Sequence, residues 1–90
     1  MNDFEERVKK VISEHLEIDV GVISQESFLV DDLGADSLTN VELVLALEEE
    51  FDISINEWDA DKFFQFKNVL YYIEEQFNAR NREIVHSVDK

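Results

Sequence analysis

The chain has 90 residues, 22 acids against eight lysines and arginines, and a formal net charge of −14 at pH 7. A chain this short holds one small core. The lack of cysteine excludes disulfides and thiolate metal sites, and without a long apolar run or N-terminal signal it is expected to be soluble and cytoplasmic.

Phe4, Val8, Val11, Ile12 and Leu16 recur at helical spacing, with acids early and Lys9 and Lys10 later, which predicts a first helix over 3–16. The next stretch, EIDVGVISQESFLVDDLG, has neither helical nor strand periodicity. It is expected to be a long loop whose Ile18, Val22, Ile23, Phe28 and Leu29 pack on the core, and a loop this long in a small domain is more often functional than idle. Gly34 offers positive φ and Asp36 a suitable N-cap, so a second helix is predicted from there to about residue 50, with Ser37 in its first turn. A short helix is predicted over 57–63, and Phe66, Val69, Leu70, Ile73 and Phe77 mark the last one. The fold expected is all-α: a small antiparallel four-helix bundle, three long helices and one short, with a long first loop. Residues 1–79 form the domain, and RNREIVHSVDK, residues 80–90, reads as a flexible C-terminal extension.

Half of the acids lie between Asp31 and Asp61, and no lysine or arginine occurs between Lys10 and Lys62. Such a surface repels nucleic acid and anionic membrane and steers basic protein patches toward it. On the second helix, Leu43, Val44, Leu47 and Phe51 fall on one side, the core face, while Leu38, Val41 and Leu45 fall on the other, edged by Glu42, Glu48 and Glu49. Scattered exposed leucines are ordinary. Three apolar residues in one stripe, edged by acids and starting beside Ser37, describe a docking surface: carboxylates steer a basic partner and the stripe supplies contact area.

Ser37 has three chemical options besides that of an ordinary helix-start serine. A nucleophile needs a base within hydrogen-bond reach. His15 belongs to the first helix and His86 to the C-terminal extension, and G-A-D-S-L lacks the G-x-S-x-G elbow, so an enzyme is not expected. Calcium fails in both EF-hand registers. Counting from Asp31 puts Leu33 and Ala35 at ligand positions, and counting from Asp32 puts Leu43 at the terminal glutamate, so no metal site is assigned. A phosphodiester on Ser37 would sit beside unpaired N–H groups at the positive end of the helix dipole. An unmodified serine is equally compatible with that position, and geometry alone leaves the two open.

The stretch DDLGADSLTNVELVLALEEEFDISI closely resembles the acyl carrier proteins, whose G-x-D-S-L motif carries the serine that bears 4′-phosphopantetheine. FEERVKKVISEHL is similar to the family's first helix, and the resemblance runs over roughly residues 3–77. It implies attachment at Ser37, with Asp36 and Leu38 as the context read by the phosphopantetheinyl transferase. It implies docking of acyl-chain synthesising and transferring enzymes, through basic patches, at Val41, Glu42, Leu45, Glu48 and Glu49. It also implies an acyl pocket lined by Leu29, Leu43, Leu47, Ile55, Ala60 and Phe63, six residues that would equally serve as ordinary core.

The resemblance has departures. Thr39 and Asn40 stand where many fatty-acid carriers place an acid, Asn56 where a proline is common, and the 80–90 tail runs past the usual end. In NEWDADKFFQFKN, Phe63 is expected in the core, whereas Trp58, Phe64 and Phe66 cannot all be buried in one short helix and its exit turn. The function implied is a monomeric carrier, not an enzyme, that shuttles acyl groups as thioesters on the Ser37 arm in type II fatty-acid biosynthesis. The alternatives are a specialised carrier for polyketide, lipid or other secondary pathways and, more remotely, an unmodified acidic adaptor.

Overall fold

The computed structural model describes the backbone of residues 3–89 and the side chains of residues 4–79. Its four helices are α1 (Asp3–Leu16), α2 (Ser37–Phe51), α3 (Glu57–Ala60) and α4 (Phe66–Asp89), with one 3₁₀ turn (Val20–Val22) in the long first loop. This is the expected all-α bundle of three long helices and one short. The flexible extension expected over 80–90 concerns residues whose side chains lie outside the described set, as does His86.

Helix α3 stops before residue 63. Beyond Ala60, the Lys62 N–H bonds the Asp59 carbonyl and the Phe63 N–H bonds the Ala60 carbonyl, i→i+3 contacts that tighten the chain into turns instead of extending the helix.

Ring contacts fix the directions of the long helices. Phe4, at the start of α1, lies 4.8 Å from Phe51 at the end of α2 and 5.5 Å from Phe77 on α4. Further along α1, Lys9 stands 5.9 Å from the ring of Phe66, the first residue of α4. Thus α1 runs antiparallel to both α2 and α4, and α2 and α4 share one direction. This is the alternation of an antiparallel four-helix bundle, because the α2–α4 connection, which holds α3, carries the chain back along the bundle before α4 begins. Val8, Ile12, Leu43, Leu47, Phe51, Val69 and Ile73 meet in the single core that these helices enclose.

The first loop is pinned rather than draped. The Phe66 N–H bonds the Ser27 carbonyl at 2.8 Å and the Leu29 N–H bonds the Phe64 carbonyl at 2.9 Å, around an isolated antiparallel bridge between Phe28 and Gln65. Alternation along this short extended piece sends Leu29 into the core and Phe28 outward. Phe28 therefore departs from the expectation that it packs inside. So does Val22, which the 3₁₀ turn lifts into solvent, the turn being capped by the Asp19 carboxylate accepting from the Gly21 N–H at 3.1 Å. Ile23 is buried, and Ile18 packs against the core. Gly34 has φ +80°, the left-handed value that lets the loop turn into α2, and the next N–H, of Ala35, bonds the Leu29 carbonyl at 2.8 Å.

Arg7 closes the far end of α2. Its Nε donates to Glu50 Oε2 at 3.1 Å, its Nη2 donates to the Glu50 carbonyl at 3.1 Å, and the guanidinium lies 4.6 Å from the centre of the Phe51 ring. One cation thus serves an acid, an orphan carbonyl in the last helical turn and an aromatic face. Arg7→Met, which keeps the stem and removes the charge, is expected to lower stability by about 1 kcal/mol, discounted for the half-exposed pair. Urea unfolding should show a lower midpoint at unchanged slope, and an unchanged midpoint would mean that the contact contributes nothing.

Candidate functional site

The start of α2 is held by a reciprocal cap. Asp36 Oδ1 accepts from the Thr39 N–H at 2.9 Å, and Thr39 Oγ1 accepts from the Asp36 N–H at 2.8 Å. The N–H of Thr39 and, next, its hydroxyl hold the Asp36 carboxyl below its ordinary value of 3.8. Ser37 follows in the first turn. It is exposed, and its hydroxyl has no hydrogen-bond partner among the described residues. The two residues after the motif, which differ from the acids of many fatty-acid carriers, are part of the architecture: Thr39 completes the cap, and the Asn40 N–H makes the first helical bond, to the Asp36 carbonyl.

Leu38, Val41 and Leu45 are each more than half exposed, while Leu43, Leu47 and Phe51 on the other side of α2 are buried and Val44 packs against the core. Glu42 and Glu49 are exposed beside the stripe. Glu48 is differently placed. It is half-buried, and its Oε2 accepts from the Ile55 N–H at 2.7 Å, so it holds the chain leaving α2. A shallow groove between α1 and α2 is lined by Glu14, His15, Glu42, Leu45 and Glu49, which gives the α2 face a second wall not signalled by its own sequence. His15 Nδ1 stays 3.1 Å from the Val11 carbonyl of its own helix. Among the described residues, no group of three or more His, Asp or Glu side chains is arranged to hold a metal ion.

Leu29, Leu43, Leu47 and Ile55 are buried in one cluster, with Ala60 and Phe63 packed against it. Phe63 meets Tyr72 of α4 edge-on at 5.5 Å. The Tyr72 hydroxyl is pushed up to about 12, first by burial and then by the Asp59 carboxylate beside it. Of the crowded aromatics, Phe66 is fully buried, whereas Trp58 is 80% and Phe64 65% exposed.

The phosphopantetheine attachment site family matches residues 6–70. The acyl carrier protein of Campylobacter lari is 52% identical over 67 residues, which cover 74% of this chain and 87% of that protein. The chain belongs to the acyl carrier proteins. It is accordingly a carrier, not a catalyst, and its cofactor is 4′-phosphopantetheine. No helix among the described residues is long and apolar enough to cross a membrane.

The cap and the brace on the carrier's α2 each have a measurable consequence. Because folding lowers the pKa of Asp36, its ionised cap contributes stability that is present above 3.8 and is lost as pH falls through the lower folded-state value. Asp36→Asn keeps a capping oxygen without the charge. Its melting temperature is expected to lie below wild type near pH 5, with the gap narrowing as acid protonates Asp36; parallel curves would contradict this. Glu48→Ala is expected to cost about 1–2 kcal/mol in urea unfolding, since it orphans a part-buried N–H, while Glu42→Ala and Glu49→Ala leave the midpoint unchanged.

Proposed function

We propose that Ser37 bears the phosphopantetheine arm and that the carrier serves a dissociated, type II fatty-acid system in the cytoplasm as a monomer. The observation that carries this reading is an exposed, partnerless hydroxyl in the first turn of α2, beside an apolar stripe edged by acids. A phosphodiester there meets the open N–H end of the helix, and the reciprocal cap keeps that end rigid without engaging the serine oxygen. The bound arm supplies a terminal thiol that holds acyl groups as thioesters, which a chain without cysteine does not provide for itself.

The chain's own part is presentation. Glu42 and Glu49 draw in basic patches on the phosphopantetheinyl transferase and on acyl-synthesising and transferring enzymes, and Leu38, Val41 and Leu45 bury against them. Glu48 contributes its charge while its carboxylate also braces the loop after α2. Leu29, Leu43, Leu47, Ile55, Ala60 and Phe63 form the apolar interior into which an acyl chain would retreat, at the cost of parting a packed cluster. The exposed Trp58 and Phe64 favour a second reading, a specialised carrier for polyketide, lipid or other secondary products with a client of its own.

Intact-protein mass after incubation with coenzyme A and a broad-specificity transferase tests the attachment. Wild type is expected to gain one phosphopantetheine and Ser37→Ala none; equal gain in both would move the site elsewhere. The loaded carrier is then expected to support chain elongation in a reconstituted type II fatty-acid synthase. Failure there, with the arm in place, would favour the specialised reading.

A further inference from the structure

Resting on the reading that Ser37 bears the arm and that the apolar cluster around Leu47 and Ile55 takes up the acyl chain, we infer that Glu48 is a positioning residue for the cargo. It latches the wall that must give way, and so sets how the acyl group divides between interior and solvent. Burial shows which wall that is. Between Phe51 and Phe66, Ile55 alone is buried, and α3 contributes no buried residue. The other sides of the core are built from fully buried side chains, such as Ile12 on α1, Leu47 on α2 and Ile73 on α4, whose parting would expose far more apolar area. The segment from residue 52 to residue 63 is therefore the movable side.

That side is stiff within itself and fastened at both ends. Asn56 Oδ1 accepts from the Asp59 N–H at 2.8 Å, and the Ala60 N–H bonds the Asn56 carbonyl at 3.0 Å, so α3 moves as one piece. At its far end Phe63 meets Tyr72 edge-on at 5.5 Å, an apolar contact without a fixed partner atom. The near end is held by a charged acceptor. Glu48 Oε2 takes the Ile55 N–H at 2.7 Å, on the backbone of the one buried residue in the wall. A hydrocarbon chain is about 4 Å thick, so admitting one beside Ile55 moves the wall well beyond hydrogen-bond range. Glu48 stands on α2, whose buried face stays in the core, and does not travel with the wall. Its bond thus belongs to the closed arrangement only, and it opposes admission of the chain. Glu42 and Glu49 have no such reach, since they line the groove on the α1 side.

The test loads the full-length carrier from octanoyl- or acetyl-coenzyme A with a broad-specificity transferase and follows loss of the acyl group to neutral hydroxylamine. The hydroxylamine nitrogen bonds to the thioester carbonyl carbon, the C–S bond breaks, a proton passes from nitrogen to sulfur, and a hydroxamate leaves the free arm thiol. Intact mass and circular dichroism first establish that each protein is loaded and folded. The acetyl group is too short to reach the interior and reports intrinsic reactivity. Octanoyl Glu48→Ala, and Glu48→Asp, which keeps the charge but shortens the reach, are expected to react about fivefold more slowly than octanoyl wild type, with acetyl rates unchanged. Glu48→Gln, which keeps an acceptor for the Ile55 N–H, stays within about twofold of wild type, and Arg7→Met, which weakens the fold without touching Ile55 or α3, matches it. Unchanged or faster octanoyl rates in both Glu48→Ala and Glu48→Asp would overturn the inference. Equal slowing in Arg7→Met would overturn it too, by assigning the effect to stability. Octanoyl and acetyl carriers that react alike in every protein would instead overturn the acyl-interior reading, and failure of folded wild type to load would overturn the Ser37 assignment.

Discussion

The paired backbone hydrogen bonds between the first loop and the entry to α4 are the constraint on which the site depends. About twenty residues separate α1 from α2, and a free segment of that length would let the serine end of α2 wander. Fastening Ser27 to Phe66 and Leu29 to Phe64 divides it into two short spans, and burying Leu29 and Phe66 on the same seam makes the fastening apolar as well as polar. From that seam the chain needs only the left-handed turn at Gly34 to reach Asp36. The place of Ser37 is thus set by contacts on α4, the last helix in the sequence.

The opposite end of α2 obeys a different logic. A chain with so many uncompensated acids pays for them in self-repulsion, and few cations are available to answer. Arg7 is used where one positive charge does several things: it meets the Glu50 carboxylate, the Glu50 carbonyl and the Phe51 ring. The helix leaves through Asp52 in the left-handed conformation, φ 55°, with no glycine there. Charge that would otherwise oppose folding at this end is tied to the aromatic cluster of Phe4, Phe51 and Phe77. Glu42 and Glu49, exposed elsewhere on α2, act at long range.

Much of this was legible from the residues. Helical spacing in Phe4 to Leu16 and Leu43 to Phe51 marked the helices and their buried sides, because the 3.6 period survives without knowledge of what the helix packs on. The alternation of Leu38, Val41 and Leu45 against Leu43 and Leu47 likewise located the exposed stripe. Long-range pairing was not legible: nothing local tells Phe28 that it will oppose Gln65, so its outward orientation could not be read. Glu48 looks like its neighbours Glu49 and Glu50 until the loop folds back to present the Ile55 N–H. Thr39 did carry a signal, an Asp-x-x-Thr spacing that reverses the usual polarity of a capping box, but a threonine in the first turn looks ordinary without the geometry.

Trp58 is the only tryptophan in the chain, and it stands in solvent on a single-turn helix, outside the core. Its indole is almost as wet in the folded protein as it would be in an unfolded one. Intrinsic emission is therefore a nearly silent channel for unfolding, which is better followed through the helices themselves. The same exposure makes that fluorophore a sensitive one for any surface that settles over α3, so the molecule carries an optical label aimed outward at its visitors.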